Sequence, residues 1–145
     1  MALTATGHPG YSQTHPRAEQ TGPRARNLLR TACTAWGLSD EVTETAALVL
    51  AELVSNAVRH GIGPSIRLLI ARPSPEQVRL AVVDRAPLKL PEMREPGDGE
   101  SGRGLILIDS LSDQWGYDRL GPAKRPWGKR VWADLRIDEK DETAQ

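Results

Sequence analysis

The clearest hydrophobic pattern in the chain lies between residues 40 and 60, where apolar residues recur every three to four positions. This spacing predicts one long amphipathic helix. Ser39 precedes the helix as a predicted N-cap, and Gly61 follows it as a predicted stop. The face opposite the apolar one carries four polar residues: Glu52, Asn56, Arg59 and His60. The pattern therefore predicts a helix that buries one side and gathers polar groups on the other.

The rest of the chain contains shorter helical and strand-like patterns. An apolar stripe that begins after Pro23 predicts a helix over residues 23–36, and residues 105–111 are expected to form a short, largely buried helix. Alternating apolar residues predict strands in four segments: 66–72, 78–83, 114–118 and 129–137. This order is not the alternation typical of parallel sheets. It predicts an α+β fold, a two-layer α/β sandwich whose mixed, mostly antiparallel sheet has helices on one face.

One domain is predicted over residues 22–138, flanked by two flexible ends. Residues 1–21 show no sustained period and are expected to form a flexible tail, although Tyr11 to His15 are compatible with an added edge strand. Residues 139–145 are expected to be a frayed, charged tail. The prolines, glycines and charges of residues 85–101 predict a long mobile loop.

Composition narrows the class of protein. Lys plus Arg and Asp plus Glu each total 19, so the formal net charge is zero and bulk electrostatics predict no nucleic-acid partner. We expect neither a membrane span nor secretion, because no apolar run is long enough and no signal-like amino terminus is present. The single cysteine, Cys33, excludes an internal disulfide, and the three histidines lack metal-ligand spacing. A cytoplasmic protein without a structural metal is expected.

Three polar features carry the candidate chemistry, and each also has an ordinary structural interpretation. Glu52 and Asn56 are four residues apart on one helix, so their side chains project together and suit a hydrated divalent cation or an activated water. The same pair is typical of a solvated helix face. Asp84 ends a strand, where a turn residue is common. Gly102-Arg103-Gly104 precedes a helix, where it favours either a turn or a phosphate seat.

Taken together and in this order, the three features resemble the Bergerat-fold (GHKL) ATPases, which include gyrase B, MutL and the histidine kinases. The resemblance is greatest to the small anti-sigma-factor serine/threonine kinases of actinobacterial type, and it covers roughly residues 23–137. The most specific segment is 52–61, which resembles the N box of that family. Residues 102–108 resemble its glycine box. Trp115-Gly116-Tyr117 and residues 128–135 are similar to its closing strands.

This resemblance implies ATP and Mg²⁺ as cofactors and gives the candidate residues their roles. Asn56 would hold Mg²⁺, and Glu52 would be the catalytic general base or water-orienting group. Asp84 would accept a hydrogen bond from the adenine amino group. Backbone N–H groups would cradle the phosphates at four residues: Gly102, Arg103, Gly104 and Leu105. His60 and Arg59 would be phosphate neighbours, and the loop over residues 85–101 would act as a nucleotide lid.

The resemblance also implies partners, namely a sigma factor and an anti-anti-sigma antagonist that receives the γ-phosphate, and it leaves a homodimer open. One departure concerns the segment after Asp84. The family pattern there is D-x-G-x-G, whereas this chain reads Asp84-Arg85-Ala86-Pro87-Leu88, without glycines that let a backbone approach adenine.

Two functions therefore remain as hypotheses. The first is an ATP-dependent serine/threonine kinase that controls a sigma factor. The alternative is a non-catalytic module that senses nucleotide or sequesters a partner. A third interpretation, the ATPase fragment of a histidine kinase, is disfavoured because no dimerisation helix with an acceptor histidine precedes Glu52. The pair Glu52 and Asn56 favours catalysis, and the missing glycines favour the alternative.

Overall fold

The computed structural model describes residues 9–89 and 103–142 of the chain. These residues form three α-helices and five β-strands. The helices are α1 (Thr21–Ala35), α2 (Asp40–His60) and α3 (Arg103–Leu111). The strands are β1 (Gly10–Pro16), β2 (Ser65–Ser74), β3 (Gln77–Asp84), β4 (Gln114–Leu120) and β5 (Gly128–Arg136). No helix in this part of the chain is long and apolar enough to cross a membrane.

Helix α2 begins and ends where its sequence predicts. The Ser39 hydroxyl accepts a hydrogen bond from the backbone N–H of Val42 at 3.3 Å, which satisfies one of the N–H groups left free at a helix start. Asp40 and Glu41 lie in the first turn, where negative charge is favoured by the helix dipole. At the other end, the Gly61 N–H donates to the Ala57 carbonyl before the chain leaves the helix.

The five strands form one sheet in the order β1-β2-β3-β5-β4, and every described pair is antiparallel. Strand β3 lies at the centre, where Leu80 is opposite Ile70 of β2 and Ala133 of β5. The alternating side chains of these three strands face the helices and share one core with them. Because β5 pairs with β3, the chain crosses from β3 through α3 and β4 before it returns to the centre.

All three helices contribute to this core, and the predicted α+β sandwich is confirmed. The fully buried helix residues include Leu29 of α1, Leu50 of α2 and Ile108 of α3. Cys33 is also fully buried, and burial raises the pKa of its thiol. This cysteine therefore packs in the core, as its place on the apolar stripe of α1 predicts.

The structure differs from the sequence-based expectation at the amino-terminal side. Residues 1–21 were expected to form a flexible tail, but Gly10–Pro16 form edge strand β1, which pairs with β2 from Gly10 opposite Ala71 to Pro16 opposite Ser65. Helix α1 then begins at Thr21, whose side chain is buried. The compatible edge strand at Tyr11 to His15 is thus the arrangement that the chain adopts. Residues 1–8 lie outside the described part.

The carboxyl-terminal expectation is also corrected for the residues that can be described. Glu139–Asp141 form a short 3-10 turn, and the Asp141 carbonyl accepts a hydrogen bond from the Ser39 N–H at 2.6 Å. Glu142 forms a bridge with Leu38 and an ion pair with Arg72 at 3.5 Å. The segment therefore docks against the turn between α1 and α2 instead of fraying. Residues 143–145 lie outside the described part.

Arg17 ties the segment before α1 to the carboxyl end of α2. Its side chain donates to the Val58 carbonyl at 2.7 Å and to the Gly63 carbonyl at 2.6 Å. The Val58 carbonyl is one of the last four of α2 and has no partner within the helix. The Arg17 guanidinium therefore caps the carboxyl end of α2, where positive charge is also favoured by the helix dipole.

Replacing Arg17 with alanine should lower the free energy of unfolding by about 2 kcal/mol, because two charge-assisted hydrogen bonds to the end of α2 are lost. Arg24→Ala is a matched control, since Arg24 is exposed on α1, and it should change stability by less than about 0.5 kcal/mol. Urea denaturation of both variants measures the difference. Equal stabilities for the two would contradict a capping role for Arg17.

Candidate functional site

Glu52 and Asn56 project from α2 toward the start of α3. Both are half-buried, and both lie beside Gly104. A Cβ atom placed on Gly104 would lie 2.7 Å from Glu52 Oε2 and 3.5 Å from Asn56 Oδ1. The structure thus brings together the carboxylate, the carboxamide and the second residue of α3.

The absence of a side chain at Gly104 is what permits this approach. A methyl group there would press on the Glu52 carboxylate, since real Cβ contacts are rarely shorter than 3.0 Å. Glycine therefore keeps the space between α2 and the first turn of α3 open for polar groups. This is a steric reason for glycine at this position, and it does not depend on backbone conformation.

The first turn of α3 borders this space. Helix α3 begins at Arg103, and the first N–H groups of any α-helix have no partner within the helix. The Leu105 side chain is buried in the core, which fixes the orientation of this turn. Gly102 lies outside the described residues, and only the backbone of Arg103 is described. Two of the four predicted phosphate-binding residues, Gly104 and Leu105, are therefore fully placed.

Asp84 is in a different environment. It ends β3, is only 2 % exposed, and forms an ion pair with Lys129, which is 3 % exposed. The Lys129 Nζ lies 2.9 Å from Asp84 Oδ1 and also donates to the Ala86 carbonyl at 2.9 Å. The Ala86 N–H donates to the same Asp84 Oδ1 at 2.8 Å. The predicted adenine acceptor is thus already part of a buried hydrogen-bond network.

Two close approaches place this network beside α2. A Cβ atom on Gly61 would lie 3.3 Å from the Asp84 Cβ, so the aspartate packs against the residue that ends α2. On the neighbouring strand, a Cβ atom on Gly128 would collide with the Asp84 carbonyl oxygen. Both glycines therefore allow β3, β5 and the end of α2 to meet around Asp84.

The two predicted phosphate neighbours at the end of α2 differ in exposure. His60 is the last residue of the helix and is half-buried. Arg59 is exposed and lines a groove between α1 and α2 together with Glu19 and Ser55. The groove lining does not include Glu52 or Asn56, so Arg59 borders a different flank of the helix from the one that faces α3.

Lys129 is the functional candidate that the sequence-based interpretation missed. The sequence does contain an indication of this role, because Lys129 occupies the same alternating set of strand positions as the apolar residues Val131, Ala133 and Leu135. In a strand this parity directs a side chain to the same face, here the buried one. A lysine at a buried strand position indicates a buried anionic partner. Which anion it meets is set by the pairing of β3 with β5, where Asp84 is opposite Lys129.

The donor set at α2 and α3 fits a magnesium–phosphate group. Carboxylate and carboxamide oxygens are the ligand types that Mg²⁺ prefers, and a helix amino terminus favours anions such as phosphate. Among the described residues, no group of three or more His, Cys, Asp or Glu side chains is arranged to hold a metal without help from a ligand. A cation here would therefore need phosphate oxygens in addition to Asn56.

Removing the Asp84 carboxylate should destabilise the fold strongly, because the Lys129 ammonium would remain buried without its anion. We expect Asp84→Ala to lower the free energy of unfolding by about 3–5 kcal/mol. Asp118→Ala is the control, since Asp118 pairs with Arg130 at 2.9 Å but its side chain is 50 % exposed. That variant should lose less than about 1 kcal/mol. Comparable losses in urea denaturation would show that burial does not distinguish the two ion pairs.

Several solved structures have the same fold as this chain. The RsbU and RsbW domains of Rv1364c from Mycobacterium tuberculosis match with a TM-score of 0.67 and 19 % identity, covering 96 % of this chain and 35 % of that one. Full-length ShkA in complex with AMPPNP matches with a TM-score of 0.54 and 19 % identity over 91 % of this chain and 32 % of that one. The chain thus spans about a third of the length of these two proteins.

A third solved structure, the mycobacterial sensor histidine kinase MprB, matches with a TM-score of 0.52 and 15 % identity over 86 % of this chain and 97 % of that one. At these identities the three matches establish the fold. No curated protein sequence matches the chain. The sequence profile described as "Histidine kinase-like ATPase domain" matches residues 14–134, which is most of the chain. This protein therefore belongs to the histidine kinase-like ATPase domain family.

Proposed function

We propose that this chain is an ATP-binding serine/threonine protein kinase of the anti-sigma-factor type. The observation that carries the proposal is the meeting of Glu52, Asn56 and the first turn of α3 around Gly104. A carboxylate, a carboxamide and free helix N–H groups are what phosphoryl transfer requires, since it depends mainly on positioning and charge neutralisation. Membership of the ATPase family supports nucleotide as the ligand of this space.

In this proposal the phosphate-binding end of the site is built from α2 and α3. The Asn56 Oδ1 holds Mg²⁺, and the backbone N–H groups at Gly104 and Leu105 donate to phosphate oxygens. Gly102, Arg103 and His60 complete the set proposed from the sequence. When bound, ATP with Mg²⁺ supplies the transferable γ-phosphoryl group.

Glu52 is the proposed catalytic residue. Its carboxylate lies on the same side of α2 as Asn56 and is only half-buried, so an incoming hydroxyl group can approach it. A carboxylate in this position would orient a serine or threonine hydroxyl and accept its proton as the oxygen attacks the γ-phosphorus, the bond from that phosphorus to the β–γ bridging oxygen breaks and ADP leaves.

The proposed partners are a sigma factor and an anti-anti-sigma antagonist that carries the phosphorylated hydroxyl. The support is the likeness to a structure that contains an RsbW domain together with the actinobacterial-type N box at residues 52–61. Such a role places the protein in the cytoplasm. It also leaves room for a homodimer, and it requires no direct contact with nucleic acid or with a membrane.

A specific observation favours the alternative, a non-catalytic module that senses nucleotide or sequesters a partner. Asp84 is engaged by Lys129 and by the Ala86 N–H, and the glycines of the family pattern after Asp84 are missing. Both features weaken the interaction expected between Asp84 and an adenine amino group. The kinase is preferred because Glu52 and Asn56 both lie beside Gly104 in the first turn of α3, as a phosphate-binding end requires.

Saturating Mg²⁺-ATP should stabilise the wild-type protein and leave Asn56→Ala unaffected. A ligand at about 100 times its dissociation constant, binding only the folded state, adds roughly 2.7 kcal/mol, which appears as a raised melting temperature. Asn27→Ala is the matched control, because Asn27 is exposed on α1 and that variant should respond like the wild type. Absence of any shift in the wild-type protein would contradict nucleotide binding and leave a partner-binding domain.

Glu52→Gln should retain the Mg²⁺-ATP stabilisation but lose phosphoryl transfer by about 100-fold or more, because a carboxamide cannot accept the hydroxyl proton. The measurement is transfer of label from γ-labelled ATP to a purified anti-anti-sigma protein. The control is Glu44→Gln, which alters an exposed residue of the same helix. Unchanged transfer by Glu52→Gln would contradict the role of Glu52. Nucleotide binding without transfer by the wild-type protein would support the non-catalytic alternative.

A further inference from the structure

We propose that Lys129 determines the base specificity of the nucleotide site, and that it makes the site nearly indifferent between 6-aminopurines and 6-oxopurines. The proposal rests on the proposed function, because it takes Asp84 as the group that meets the base. It concerns a residue to which neither the sequence pattern nor the likeness to other proteins assigns a role.

The starting observation is that Asp84 and Lys129 are side by side on paired strands and almost completely buried. Asp84 of β3 is opposite Lys129 of β5 in the antiparallel register. Their side chains point to the helix-covered face of the sheet, and Nζ lies 2.9 Å from Oδ1. A base that reaches the Asp84 carboxylate therefore also meets the ammonium group.

The hydrogen-bond donors and acceptors of Asp84 and Lys129 are only partly used within the protein. Asp84 Oδ1 already accepts two hydrogen bonds, from the Ala86 N–H and from Lys129 Nζ, which fill its two lone pairs. Two of the three ammonium donors are used, one for Oδ1 and one for the Ala86 carbonyl. Within the described part of the chain, this network does not include the second carboxylate oxygen, Oδ2, or the third ammonium donor. The pair thus offers one acceptor and one donor.

An aspartate without such a partner would discriminate between bases. A lone carboxylate only accepts hydrogen bonds, so at position 6 it would favour the amino group of adenine over the oxo group of hypoxanthine or guanine, whose nearest donor is the N1–H. In a buried site, a polar group left without its partner carries a large energetic penalty, which is what makes such discrimination strong.

The ammonium removes this basis for discrimination in two ways. It cancels the negative charge of the carboxylate, so a partly negative carbonyl oxygen is no longer repelled. It also supplies a donor that a 6-oxo group can use, while Oδ2 still serves a 6-amino group. The same ion pair therefore satisfies either substituent with one hydrogen bond.

The experiment compares the binding of ATP and ITP, which differ at position 6 of the base, in the presence of Mg²⁺. Dissociation constants are measured by calorimetry on the full chain for the wild type, Lys129→Met and the control Lys124→Met, which alters an exposed lysine before β5. The wild type and the control should bind the two nucleotides within about threefold of each other. Lys129→Met should favour ATP by about tenfold or more, since the carboxylate then only accepts.

The outcomes separate this proposal from the proposed function. Wild-type protein that prefers ATP by more than tenfold, or a Lys129→Met variant with the wild-type ratio, would overturn the role of Lys129 and leave nucleotide binding intact. If neither triphosphate binds to the wild type, the proposed function and this proposal both fail. Circular dichroism monitors whether Lys129→Met folds; where it does not, the wild-type ratio of the two dissociation constants decides the proposal.

Discussion

Helix α2 has to bury one face against the sheet while it keeps a polar stripe accessible on another, and the rest of the structure is arranged around that requirement. Its apolar residues, including Leu50 and Leu53, lie in the core above β3 and β5. Glu52 and Asn56 then face the side on which α3 begins. A capped start at Ser39 and the Arg17 guanidinium at its end hold the helix in this register. The rigidity of α2 is what gives Glu52 and Asn56 fixed positions.

The two ends of the candidate site differ in physical character. At the junction of α2 and α3, the half-buried side chains of Glu52 and Asn56 lie beside Gly104 in the first turn of α3. At the junction of β3 and β5, Asp84 and Lys129 satisfy one another in a buried network. The polar groups at the first end are available to a ligand, whereas the charges of Asp84 and Lys129 at the second end cancel each other. We therefore expect the binding energy of a nucleotide to come mainly from its phosphates and the cation, with little from its base.

The buried network around Asp84 also involves the segment in which the glycines of the family pattern are missing. Ala86 replaces the first glycine of the family pattern, and both of its backbone polar groups are used, the N–H by Asp84 and the carbonyl by Lys129. Ala86 and Lys129 therefore act together, because their hydrogen bonds join the backbone after β3 to the start of β5. An enzyme that binds mainly through phosphates, or a sensor with low base selectivity, is compatible with this arrangement.

The sequence by itself determined most elements of secondary structure and the side of α2 that carries Glu52 and Asn56. Periodicity and capping residues are local signals, so α2 and the three strands β2, β3 and β5 could be predicted from short segments, and the four-residue spacing of Glu52 and Asn56 placed both on one face. Only the tertiary structure decided three other features: the pairing of β1 with β2, the Arg17 cap and the Asp84–Lys129 ion pair. The last two join residues 41 and 45 positions apart, respectively. Such contacts depend on how the strands and helices pack. The sequence shows at most that a residue such as Lys129 alternates with the buried positions of its strand, so the partner of Asp84 can be identified only in the folded chain.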